Sequence, residues 1–121
     1  MSGNDTATEN SINTVSLVKK RLMELGLHPV QQGKSVLSIG EDYIFKIHSQ
    51  FVSGTADEKL VNWVCKLYKM PYKNKYLFIY DPNNVVKPDV IDNCNLVASA
   101  LNTNVKVLYN INFDVFIREK L

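Results

Sequence analysis

The chain has 121 residues, which fits one domain able to bury a core without disulfides or metals. Hydrophobic residues make up 45% and charged residues 21%, and the net charge is +2, so there is no strongly basic stripe, although neither nucleic-acid nor protein binding is excluded. With no long apolar run and no charged-then-apolar leader, the composition predicts an intracellular protein that neither spans nor binds a membrane.

Residues 1–12 are small, polar and without period, and read as a disordered lead-in to a single domain over 13–121. Val15, Val18, Leu22 and Leu25 recur at helical spacing and predict a helix over 13–25, begun by Asn13, ended by a left-handed Gly26 and stopped by Pro29. Lys19, Lys20 and Arg21 fall on its other side, as a solvated face or a phosphate contact. Residues 30–32, 35–39 and 42–50 read as short strands divided by turns at Gly33-Lys34 and Gly40-Glu41, the last two paired as an antiparallel hairpin. Thr55 precedes Glu58 by three, the spacing of a capping box, and opens a helix with Leu60, Val61, Val64, Leu67 and Tyr68 on its apolar face, which must stop before Pro71. The run Tyr76 to Tyr80 is apolar throughout, as in a strand covered on both faces, and Asp81-Pro82-Asn83-Asn84 ends it with turn chemistry. Pro88 opens a third helix with Val90, Ile91, Cys94, Val97, Ala98 and Leu101 inward, and residues 105–109 form a strand parallel to 76–80 through that helix. The segment 111–121 fits a last strand, a short helix, or a piece that packs on a partner. Cys65 and Cys94 both fall on apolar helical stripes, without a neighbouring Cys or His at zinc-ligand spacing, and read as free buried thiols of a reducing compartment.

The unusual stretch is GEDYIFKIHSQFVSGTADEKL, residues 40–60. In an extended strand Tyr43, Phe45 and Ile47 share one face, while Asp42, Lys46, His48 and Gln50 share the other with only Ile44 apolar among them. One face suits a core. The other carries an acid, a base, an imidazole and an amide in a row. A lone strand histidine is commonly a plain polar contact, and Glu58 is explained as a capping residue before it is explained as an acid. Lys73, Lys75 and Lys87 with Tyr72 and Tyr76 make a second candidate, a basic and aromatic patch for nucleic acid, or else a solvated sheet rim.

The order helix, two or three strands, helix, strand, helix, strand gives an α/β domain of three layers, with a mixed central sheet that starts antiparallel and finishes parallel between flanking helices. This order, together with Gln50, Gly54, Thr55, Asp57, Glu58 and Lys59 in frame, resembles the restriction-endonuclease-like fold, whose nucleases carry a PD-(D/E)xK motif. That resemblance implies two carboxylates on a Mg²⁺ or Mn²⁺ ion and a lysine that positions the attacking water. In the frame set by Gln50 the chemistry departs from the motif: Lys46 stands at the acid position, His48 at the lysine position, and the earlier Asp falls near Ser38. The stretch from Tyr76 to Leu121 is also similar to half of the N-terminal jaw domain of the fifth shared subunit of eukaryotic nuclear RNA polymerases, which uses the same fold as an assembly module.

Three functions compete on these residues. The first is a catalytically degenerate nuclease-like domain that binds nucleic acid or a partner in a DNA- or RNA-processing complex through Lys46, His48, Gln50, Lys73 and Lys75, without a cofactor. The second is an active nuclease using Mg²⁺ or Mn²⁺ at a displaced site built from Asp42, Lys46, His48 and Glu58, with Glu24 as a further acid. The third is a structural subunit that docks on a protein partner or a second copy of itself through the 111–121 tail.

Overall fold

Short polar turns and longer helical crossovers alternate along the chain, and they dictate how its strands pair. The computed structural model describes residues 3–51, 57–101 and 104–120, with side chains from residue 14 onward apart from those of 57, 58, 113 and 120. Its strands are β1 (Pro29–Gly33), β2 (Val36–Ile39), β3 (Tyr43–Ser49), β4 (Asn74–Tyr80) and β5 (Val105–Tyr109), in one sheet whose spatial order equals chain order. Tight turns make β1–β2 and β2–β3 antiparallel. Helices α2 (Asp57–Tyr68) and α3 (Pro88–Ala100) supply the long connections that make β3–β4 and β4–β5 parallel. The expected α/β class, with a sheet antiparallel at its start and parallel at its finish, is what the chain forms.

Each face of the sheet has its own core. On one, Val36, Ile44, Leu77, Ile79 and Val105 pack against Leu60, Val64 and Leu67 of α2 and Val90, Cys94 and Ala98 of α3. On the other, Leu37, Phe45, Ile47, Tyr76 and Phe78 pack against Val15, Val18 and Leu22 of α1 (Gly3–Glu24) and Phe116 and Ile117 of α4 (Phe113–Lys120). The second core is aromatic at its centre: the Phe45 ring stacks on Tyr76 at 5.1 Å, and Phe116 meets Tyr76 edge-on at 5.0 Å. Arg21 joins α1 to α4 with two bonds to the Asp114 carboxylate, of 3.0 and 2.7 Å.

Several expectations are refined. Helix α1 begins at Gly3 instead of Asn13 and takes in residues 3–12, which composition assigns to a polar lead-in. Extending a nucleated helix fixes one residue per added bond, so weak formers can be carried along. Its other end follows expectation. Gly26 has φ +82°, Leu27 N–H donates to Leu22 O, and Gly26 N–H donates to Met23 O, the paired bonds of a Schellman cap. Leu25, placed on the inward stripe by spacing, is half exposed because the helix ends before it. Within the tail, Phe113–Lys120 forms α4, and its apolar residues Phe116 and Ile117 are spent inside this chain. The capping box at Thr55 lies outside the described residues.

Candidate functional site

Strand β3 has the alternation its sequence implies. Tyr43, Phe45 and Ile47 belong to the α1/α4 core, and Ile44, Lys46 and His48 face the α2/α3 layer. The polar row therefore lies beneath a helical layer instead of facing open water. Register sets Lys46 between Val36 of β2 and Leu77 of β4, and His48 beside Ile79. Helix α2 packs on β3, β4 and β5, and α3 on β5, so on this face the β1–β2 hairpin extends past α2 and α3. A cleft of about 360 Å³ opens along that margin, lined by the hairpin residues Gln32, Lys34 and Ser35, by Lys46 at its floor, and by Trp63 and Tyr72.

Lys46 is 7% exposed, and its ammonium meets a hydroxyl and an indole. It donates to Ser35 Oγ, and it lies 4.3 Å from the centre of the Trp63 ring. Lys66 approaches the same ring to 4.5 Å. Burial, and then the charges of Lys59 and Lys66, push the Lys46 amine down to about 8. The site is thus a cluster of cations around one indole, with one of them held in the sheet.

His48 lies at the carboxyl end of β3, with Nε2 3.0 Å from Gln50 Oε1. A carboxamide oxygen only accepts, so Nε2 carries the proton. Burial is the main cause holding the imidazole below its ordinary value, and the charges of Lys59 and Lys46 add to it against the opposing Gln50 bond and Asp81 charge. Across the sheet at the same end stands Asp81, fully buried. It accepts from Val85 N–H and Val86 N–H at 2.9 Å and from Tyr109 Oη at 2.6 Å. Burial alone would raise its carboxyl; the Tyr109 and backbone bonds together hold it below the usual carboxylate range. Asn110, at φ 50°, exchanges two bonds with the Asp81 backbone, of 2.6 and 2.7 Å. The Val85 and Val86 bonds brace the loop after β4 from within, and the Tyr109 and Asn110 bonds tie that loop to the end of β5, which makes Asp81 a structural carboxylate.

The other sequence candidates do not assemble into one centre. Asp42 is exposed in the turn before β3, six residues and so about 20 Å from His48 along an extended strand. Lys46 sits between them. The side chain of Glu58 lies outside the described residues. Glu24 is on α1, against the opposite face of the sheet, where it accepts from Arg21 at 2.9 Å. Lys75, expected on a nucleic-acid patch, is buried, and its ammonium donates to Tyr68 O at 2.8 Å, closing the end of α2. Lys73 remains exposed beside it at the amino end of β4, the far end from His48 and Gln50. Among the described residues no three of His, Cys, Asp and Glu lie close enough together to hold a metal ion.

Ser35 and Trp63 were not legible as site residues. Ser35 reads as the first residue of β2, yet it lies in the turn that brings its hydroxyl over Lys46. Trp63 carries a usable signal: it is the one tryptophan of the chain, three residues from both Leu60 and Lys66 on α2, at the edge of the apolar stripe. No protein-family model, curated protein or solved structure matches the chain. Among the described residues no helix is long and apolar enough to cross a membrane.

Proposed function

We propose that this chain is a nuclease-like domain of the restriction-endonuclease-like type that binds nucleic acid without cutting it, as a module of a DNA- or RNA-processing assembly. The observation that carries the reading is Lys46: where the PD-(D/E)xK frame puts a metal-binding acid, this chain has a buried ammonium at the floor of a cleft, against Trp63 and close to Lys59 and Lys66. Such a centre repels a divalent cation and attracts a phosphate. Supporting it are the order helix, antiparallel three-strand meander, helix, parallel strand, helix, strand, and the separation of Asp42 from His48 by the length of β3. Cys65 and Cys94 form no disulfide, which suits a reducing, intracellular setting.

The test is a binding and cleavage assay on labelled single- and double-stranded DNA and RNA in Mg²⁺, Mn²⁺ and EDTA. The expected result is binding in all three conditions, without cleavage, that weakens with salt and drops at least tenfold in Lys46→Met. Metal-dependent cleavage abolished by Asp42→Ala would overturn the reading in favour of a displaced active site. Neither binding nor cleavage would overturn it in favour of a structural subunit with a protein partner or a homodimeric role.

A further inference from the structure

The cleft beside Lys46 is too small for a double helix and suited to one base. Its volume of about 360 Å³ lies near the lower end of small-ligand sites. Two aromatic side chains, Trp63 and Tyr72, stand in its wall together with Met70. These are flat or polarisable surfaces of the kind on which unpaired bases stack whatever their sequence. The hydroxyl of Ser35 and the amide of Gln32, which donates to Ser38 Oγ at 2.9 Å, supply polar atoms at the hairpin side. The charges are arranged for an anion joined to that base. Lys46 lies at the floor and Lys34 at the rim, and Lys66 is exposed on α2 above Trp63.

Resting on the binding function proposed above, we infer that the occupant is a single unpaired nucleotide of a nucleic-acid strand, its base against Trp63 and Tyr72 and its phosphate among Lys34, Lys46 and Lys66. A duplex keeps its bases stacked inside and offers the cleft only backbone, whereas a single strand, a bulge or a flipped base offers both parts. Duplex recognition thus falls to a bulged or open site and not to a regular helix.

Because Trp63 is the sole tryptophan, the intact chain reports on its own cleft. Its emission would be titrated with a single-stranded oligonucleotide, the same sequence as a blunt duplex, that duplex with one bulged nucleotide, and inorganic polyphosphate as a base-free polyanion. The expected outcome is quenching by the single strand and the bulged duplex at concentrations at least tenfold below those needed with the blunt duplex, and little quenching by polyphosphate. By anisotropy of labelled oligonucleotide, Trp63→Leu and Tyr72→Leu should each weaken single-strand binding at least tenfold while keeping a native circular-dichroism spectrum; the Tyr72 variant decides should Trp63→Leu fail to fold. Equal binding of blunt duplex and single strand, equal quenching by polyphosphate, or full single-strand affinity in a folded Tyr72→Leu variant overturns the pocket and leaves the binding module standing. No binding of any nucleic acid overturns both.

Discussion

Lys46 occupies a position where an apolar side chain is the ordinary choice, between Val36 and Leu77 on a covered sheet face. Keeping an ammonium there costs stability, and the lowered amine pKa measures that cost. The folded-state value of about 8 lies below the unfolded value of 10.5, so the unfolded chain binds more protons between them. For this group the full cost is present below pH 8, and stability rises with pH through that window. Lys46→Met should therefore be more stable than the natural chain at pH 7, by about 1–3 kcal/mol after allowance for solvent screening, with the gap narrower at about pH 9.5 and closed only above 10.5. Urea midpoints at the two pH values check this, and a variant that is less stable at pH 7 would show that the Ser35 and Trp63 contacts outweigh the burial cost. A residue that destabilises the fold and is also needed for binding is the signature of a site kept for function.

At the scale of elements, the carboxyl ends of β4 and β5 are bound to each other by side chains as well as by the ladder. The Tyr109 hydroxyl, the Asp81 carboxylate and the Asn110 amide make these links. Tyr109→Phe removes one of three donors to a fully buried carboxylate, and should cost about 1–2 kcal/mol at pH 7. Because the folded-state Asp81 pKa is depressed, its contribution is present above the ordinary carboxylate value and is lost as pH falls through the folded one. The variant should then unfold at a higher pH on acid titration followed by circular dichroism; an unchanged acid limb would mean that the two backbone donors suffice. The elements themselves were largely readable. The alternation in β3, the apolar run of β4, the glycine stop at Gly26 and the proline start at Pro88 each have a local cause, and each falls as expected. The functional candidates were less readable, because their meaning depends on what covers them. Lys75 and Lys73 are near neighbours in sequence, yet one closes a helix and the other faces water. Asp42 and Lys46 are expected on one face of one strand, yet Asp42 stands exposed in the turn before β3 while Lys46 is buried inside it.

For the molecule as a whole, β3 and β4 have neighbours on both sides and cores on both faces, whereas β1 is an edge strand with Val30 half exposed. Hydrogen exchange in the native state should accordingly be slowest for the β3 and β4 amides, which open only with the whole domain, and fastest among the strands for β1. Equal protection of β1 and β4 would indicate that the edge is covered in solution, by a second copy or a partner. The identity of spatial and chain order also bears on synthesis. Each strand leaving the ribosome finds its partner already waiting at the growing margin, and none has to be threaded between two others. The aromatic core is the exception. Phe45 and Tyr76 are placed early, but Phe116, which lies against both, belongs to the last helix. A nascent chain paused before residue 113 would present a greasy aromatic surface beside α1, and chaperone capture of this protein should concentrate in the interval before α4 emerges.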